Sequence, residues 1–199
     1  MIAIIDYGVG NIKSIYNSLQ RLNIESVVTK DEDVINNADK IILPGVGAFK
    51  DAMASLENSG LIGCIKENIS KGKPTLGICL GMQVLFDRGF EDGECEGLKV
   101  LQGEVVKLKE GLKIPHMGWN SLKINNNHKI LNGIDEGEFV YFVHSYYINA
   151  KNDCDVITYS DYGVKVPGVV ARGNVIGMQF HPEKSGETGL KLLKNFGGM

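Results

Sequence analysis

The chain has 199 residues, 43% hydrophobic and 23% charged, which suffices for one compact domain with a sizeable core. A formal net charge of −3 leaves no basic footprint for nucleic acid, and no apolar run reaches the length of a membrane span. The four cysteines, Cys64, Cys79, Cys95 and Cys154, form no C-x-x-C pair, which argues against a zinc knuckle or a dense disulfide framework and fits a reducing, cytoplasmic compartment.

The first half alternates strand-like and helical runs. Met1-Ile-Ala-Ile-Ile-Asp6 has no basic n-region and reads as a first strand over Ile2–Ile5, not as a signal peptide. Ile12, Ile15, Tyr16, Leu19 and Leu22 then recur at helical spacing. Ser26–Thr29 and Lys40–Pro44 read as the second and third strands. Phe49, Met53 and Leu56 mark one helix, and Leu61, Ile65 and Ile69 another. Thr75–Ile78 is a buried strand, and a stretch of helical composition follows Cys79. The second half carries short strands at Val100–Leu108, Asn120–Ile124, Glu138–Val143, Asp155–Tyr159, Gly168–Arg172 and Val175–Gln179, with a tight hairpin turn at Gly173-Asn174. Leu190, Leu193 and Phe196 mark a closing helix. The expectation is one α/β domain: a mostly parallel central sheet flanked by helices, with an antiparallel β extension in the second half. Ligands of such folds bind at the carboxyl ends of the strands.

Cys79 falls at one of those ends, between Gly77 and Gly81, where a strand turns sharply into a helix. That is the elbow arrangement that exposes a nucleophile on a strained backbone, near free N–H groups and a helix dipole that favour an anion. A thiol nucleophile needs a base. His128 lies in a polar turn, and His116 and His144 lie beside aromatic or apolar stretches that suit structural histidines. His181 begins His181-Pro182-Glu183. Proline biases His181 toward an extended backbone, and residues i and i+2 of an extended segment share a side, so Glu183 is placed to orient the imidazole. In Pro44-Gly-Val-Gly-Ala-Phe49 the glycines allow close backbone approach, so an N–H at Val46 or Gly47 can join that of Leu80 as an oxyanion donor. Gly8-Val-Gly-Asn11 is only a partial dinucleotide fingerprint, because position 13 is Lys. Gly72-Lys73 is followed by Pro74, so no phosphate loop is present. His181 and Glu183 lack a third ligand at metal-site spacing. The expectation is no cofactor and no metal.

Together, Gly77-Ile-Cys-Leu-Gly-Met-Gln83, His181-Pro-Glu183 and Pro44-Gly-Val-Gly47 resemble a class I (triad) glutamine amidotransferase, and the resemblance spans essentially all of residues 1–199. Within that family Ile5-Asp-Tyr-Gly-Val-Gly-Asn11, Pro115-His-Met-Gly-Trp-Asn120, His144-Ser-Tyr146 and His181-Pro-Glu-Lys-Ser185 resemble the glutaminase subunits of imidazole glycerol phosphate synthases, from histidine biosynthesis. The resemblance implies a single flavodoxin-like glutaminase domain. It implies that Cys79 attacks the carboxamide of glutamine, His181 carries the proton, Glu183 orients His181, and the thioester is hydrolysed to glutamate and ammonia. It places Gln83, Ser145 and Tyr146 around the amino-acid end of the substrate. It implies that the Gly45–Gly47 loop presents its donor only after a peptide reorients.

The resemblance also implies a heterodimer in which ammonia passes to a (β/α)₈-barrel cyclase. Gly10, Asn11, Met117, Trp119, Asn120, Tyr141 and Lys184 are the interface candidates, with Trp119 equally readable as a core aromatic and Tyr141 as part of a buried strand. No nucleic acid or membrane partner is expected. Three alternatives stand beside this reading: a paralogous subunit feeding a sugar-aminating synthase of surface polysaccharide biosynthesis, a non-catalytic scaffold, and a cysteine hydrolase of similar fold.

Overall fold

The computed structural model describes residues 1–109 and 111–199. Strands β1 (Ile2–Ile5), β2 (Ser26–Thr29), β3 (Lys40–Leu43) and β4 (Thr75–Ile78) alternate with helices α1 (Ile12–Arg21), α2 (Glu32–Asn37), α3 (Phe49–Ser59) and α4 (Ile62–Ser70). After β4 come the single turn α5 (Leu80–Gln83) and the short strands β5 (Arg88–Gly89) and β6 (Cys95–Glu96). Then follow β7 (Gly103–Lys107), β8 (His116–Ser121), β9 (Lys123–Ile124), β10 (Phe139–His144), β11 (Tyr146–Ala150), β12 (Val156–Asp161), β13 (Lys165–Arg172), β14 (Val175–Met178) and helix α6 (Gly186–Gly197).

The main sheet has the order β2-β1-β3-β4-β14-β13-β12-β9. The first five of these run parallel, and β13, β12 and β9 extend the sheet antiparallel. The period of two along each parallel strand feeds two cores. Ile2, Ile4, Ile42, Leu76 and Ile78 face α1 and α6 through Ile15, Leu19, Leu192, Leu193 and Phe196. Ile5, Ile41 and Leu43 face α2, α3 and α4 through Ile35, Phe49, Leu56 and Ile65. Burial on both faces explains why these strands read as continuous apolar runs.

Two smaller sheets complete the fold. One is the antiparallel ribbon β10-β8, and the other has the order β11-β7-β5-β6. Gly173-Asn174 closes the β13–β14 hairpin, with Arg172 paired to Val175 and Gly173 at φ 60.

Several expectations shift. The Asn120–Ile124 strand resolves into β8, which starts at His116, and the separate β9. The Val100–Leu108 strand narrows to Gly103–Lys107. Strand β11 and helix α2 carry weak patterns. Helix α2 buries only Ile35 and is defined by its cap, the Asp31 carboxylate accepting from the N–H groups of Asp33 and Val34.

The carboxyl ends of β1, β3, β4 and β14 lie side by side, and their loops pack against one another. A Cβ on Gly81 would sit 1.9 Å from the Leu43 carbonyl oxygen, and one on Gly45 would sit 2.5 Å from the Gly81 nitrogen. Gly81→Ala is therefore expected to cost at least about 2 kcal/mol and to lower the melting temperature by about 5 °C or more. Gly63→Ala, whose added methyl meets nothing within 4 Å, is the control and leaves the melting temperature unchanged or higher. Thermal unfolding of both variants checks this, and equal melts contradict the packing argument.

Candidate active site

Cys79 leaves β4 at φ 55 and ψ −113, a conformation that L-residues avoid. Such a residue stores on the order of 1–3 kcal/mol and persists only where its surroundings over-determine it. Here its N–H extends the parallel ladder to the Met178 carbonyl at 2.7 Å, and its own carbonyl accepts from Met82 and Gln83 at 3.0 and 3.1 Å. The helix behind the elbow is one turn, not the longer helix its composition suggests. After Val84 the hydrogen bonds tighten to i→i+3 steps at Leu85 and Phe86, and the chain leaves for β5. Cys79 therefore sits at the N-cap of a single turn that begins at Leu80, with little summed helix dipole behind it.

His181 follows β14 across Gln179-Phe180. Its Nδ1 lies 2.8 Å from Glu183 Oε1, and the two side chains are 2% and 0% exposed. The route differs from the extended one expected: His181 is extended at φ −96, but Pro182–Lys184 closes into a 3₁₀ turn that folds Glu183 back beneath the ring. Glu183 Oε1 also accepts from Asn11 Nδ2 at 3.1 Å, while Glu183 Oε2 is buried with no hydrogen-bond partner among the described residues. Burial lowers the His181 pKa. The hydrogen bonds and charges of Cys79 and Glu183 outweigh that and carry it up to about 9. The ring is thereby biased toward its protonated form beside the Cys79 sulfur.

A cavity of about 180 Å³ joins these groups. Cys79, Leu80, Gln83 and His181 form one side, Val46 and Gly47 the rim, and Val143, His144, Ser145 and Tyr146 the other side. All predicted catalytic, oxyanion and substrate residues except Glu183, which lies behind His181, thus line one space. A more open groove of about 450 Å³ along β11–β13 contains none of them.

Residues 3–197 match the family model described as glutamine amidotransferase class-I. The chain belongs to this family. A relative from Caldanaerobacter subterraneus subsp. tengcongensis, named imidazole glycerol phosphate synthase subunit HisH, is 52% identical over 100% of this chain and 98% of its own length. A relative of the same name from Bacillus cereus (strain G9842) is 54% identical over 100% and 95%. Among solved structures, a glutamine amidotransferase superimposes with a TM-score of 0.78 at 18% identity, covering 100% of both chains. PurLQS from Thermotoga maritima superimposes at 0.75 and 22% identity, covering 98% of this chain and 96% of that one. At these identities the two structures show the amidotransferase fold alone.

In this amidotransferase the interface candidates gather around the same end of the sheet. Gly10, at φ 124, packs on Pro44, and Asn11 reaches Glu183. Met117 and Trp119 are 61% and 56% exposed, so Trp119 is not a core aromatic. Tyr141 is half-buried, edge-on to Trp119 with centroids 6.0 Å apart. Asn120 is half-buried, and Lys184 is exposed.

Three contributors escaped the sequence reading. Phe139, 57% exposed, continues the apolar surface of Met117 and Trp119. The Tyr7 hydroxyl donates to the Pro44 carbonyl at 2.6 Å and anchors the glycine loop. The buried Ser185 hydroxyl donates to the His181 carbonyl at 2.6 Å and accepts from the Tyr141 N–H at 2.9 Å, tying His181 to β10. The serine two residues after the acid was the available signal.

A group whose folded pKa is raised stabilises fully below its unfolded value and loses that contribution as pH climbs through the folded value. For His181 the window runs from about 6.5 to about 9 and is worth on the order of 3 kcal/mol. Glu183→Gln removes one of the two partners, so the His181 midpoint falls and the loss of stability across this window shrinks. An NMR titration of the His181 ring, paired with unfolding at both ends of the window, checks it. An unchanged midpoint rules out the carboxylate as a cause.

Proposed function

We propose that this amidotransferase is the glutaminase subunit of an imidazole glycerol phosphate synthase in histidine biosynthesis. On this reading residues 1–199 act as one glutaminase domain in a heterodimer with a cyclase. The observation that carries it is the joining, at one small cavity, of a strained Cys79 and a His181 whose ring is backed by the buried Glu183 carboxylate. Relatives at 52–54% identity that carry that synthase's name favour this pathway over the sugar-aminating alternative.

In the first half-reaction Cys79 attacks as the thiolate, its proton carried by His181, and the sulfur bonds to the carboxamide carbon of glutamine. Negative charge gathers on the carboxamide oxygen, where the Leu80 N–H and one from Gly45–Gly47 receive it. His181 passes its proton to the departing nitrogen, the C–N bond breaks, and ammonia leaves a γ-glutamyl thioester. His181, now neutral, takes a proton from water as the water oxygen attacks the thioester. The C–S bond breaks, and glutamate is released. Glu183 holds Nδ1 and keeps Nε2 toward the sulfur throughout.

The amino-acid end of glutamine lies along Gln83, Ser145 and Tyr146. Gln83 spends its amide hydrogens on the Tyr146 carbonyl and Gln179 Oε1, which leaves Oε1 as its acceptor for a ligand.

Ammonia released into water is protonated and lost as a nucleophile, so the site needs a cover. The outer face of the β8/β10 ribbon presents Met117, Trp119, Tyr141 and Phe139, and its last residue on that face, Val143, also lines the cavity. A (β/α)₈-barrel cyclase docking on this strip covers the cavity mouth, with Gly10, Asn11, Asn120 and Lys184 at the edges. No helix among the described residues is long and apolar enough to cross a membrane, and the reading places the pair in the cytoplasm.

Cys79→Ala is expected to abolish glutamine-dependent product formation by the assembled synthase and to leave ammonia-dependent formation intact. Rates with glutamine and with ammonium salts check it, and a Cys79→Ala chain that still supports the glutamine-dependent rate overturns the mechanism.

A further inference from the structure

Strand β8 begins with His116 and β10 ends with His144, and the ladder pairs them directly. Both are buried, at 3% and 7% exposure, and His116 Nδ1 lies 3.0 Å from His144 Nε2. Two imidazoles in contact inside a protein require one donor and one acceptor, so the proton positions matter.

The ends of the pair fix them. Asn120 Oδ1 accepts the Ser121 N–H at 2.9 Å, and Asn120 Nδ2 donates to the Asp161 carbonyl at 3.1 Å. Those two bonds orient the amide independently of any histidine. Its Nδ2 then faces His116 Nε2 at 3.3 Å, which makes that nitrogen an acceptor. At the far end the Tyr146 carbonyl can only accept, and it lies 2.9 Å from His144 Nδ1, which must carry a hydrogen. The middle contact follows: His116 Nδ1–H donates to His144 Nε2. Both rings are neutral Nδ1–H tautomers, and every ring nitrogen is satisfied.

The surroundings keep them so. His116 is stacked between Phe142 and Tyr162, with centroids 4.6 and 3.9 Å away, so it cannot rotate out. Burial pushes His116 down to about 4 and His144 down to about 3. A proton added to either ring would set two donors face to face.

The line ends at the catalytic cavity. The Tyr146 carbonyl that receives the His144 proton also receives Gln83 Nε2 at 2.9 Å. The same Gln83 nitrogen donates to Gln179 Oε1 at 3.0 Å, and Gln179 Nε2 lies 3.8 Å from Cys79 Sγ. The line starts on the strand whose exposed face carries Met117 and Trp119.

We infer that His116 and His144 are positioning residues: a neutral, one-directional hydrogen-bond line that runs from the docking strand to the Tyr146 carbonyl and holds Gln83 in place to bind glutamine. What Gln83 binds rests on the proposed function; the proton positions do not. Neither ring takes part in bond making. His144 acts through Tyr146 and Gln83, and His116 acts through His144.

Two measurements test it. In the chain labelled with ¹⁵N-histidine, long-range ¹H–¹⁵N spectra are expected to show both rings as Nδ1–H tautomers, unchanged from pH 8 to pH 5.5. An Nε2–H tautomer on either ring overturns the line. In the complete synthase with glutamine as substrate, His144→Leu is expected to raise KM roughly tenfold with kcat changed by less than about threefold. His144→Asn, which keeps a donor near the Nδ1 position, recovers most of the loss. If His144→Leu does not fold, His116→Phe keeps the aromatic stack while cutting the line and shows the same KM effect at smaller size. An unchanged KM in the folded variants, or an Asn variant as impaired as Leu, also overturns the inference. A wild-type synthase that releases no glutamate from glutamine instead defeats the proposed function, and the tautomer spectra then decide the line alone.

Discussion

The strained backbone at Cys79 dictates how closely the loops around it must pack. A residue at φ 55 and ψ −113 relaxes unless its neighbours forbid it. The neighbours here are other backbones. Gly81 lies so close to Leu43, and Gly45 so close to Leu80 and Gly81, that no side chain fits between them. Close packing of the β3 and β4 loops therefore holds the elbow, and the same contact brings the glycine rim to the thiol. Strain at Cys79 and placement of the Gly45–Gly47 loop have one cause.

The remaining parts hang on the same edge of the sheet. Adjacent strands β1, β3, β4 and β14 each contribute a loop: Asn11 behind the acid, Val46 and Gly47 at the rim, Cys79, and the His181 turn. The β8/β10 ribbon lies across this edge and is stitched to the His181 turn. The His181 N–H donates to the Tyr141 carbonyl at 3.0 Å, and Ser185 bridges the His181 carbonyl and the Tyr141 N–H. A protein seated on Trp119 and Phe139 thus touches strands whose backbone holds His181. Activity that depends on the synthase partner has a direct physical route in this arrangement.

How much of this is legible without coordinates differs by feature. The parallel strands are legible because burial on both faces writes unbroken apolar runs such as Ile2–Ile5 and Ile41–Leu43. The elbow and the His181–Glu183 pair are legible because each is local, within a few residues. What stays hidden is set by long-range contact. The length of α5 depends on where the chain leaves for β5, and Trp119 reads as core or surface until the ribbon's outer face is known. His116 and His144 look like ordinary buried histidines one at a time; 28 residues separate them, and only the β8–β10 register brings their rings together. Asn11 and Glu183, 172 residues apart, are hidden for the same reason.

The proposed mechanism requires that Cys79, among four thiols, be the one that meets glutamine. Cys64 is buried, Cys95 half-buried and Cys154 exposed, so accessibility alone favours Cys154. Peptide mapping after treatment of the assembled synthase with a glutamine-shaped electrophile tests this directly. Modification is expected at Cys79, with protection by excess glutamine and loss of glutamine-dependent activity in proportion to labelling. Modification confined to Cys154 or Cys95, with glutamine-dependent activity lost, would contradict it.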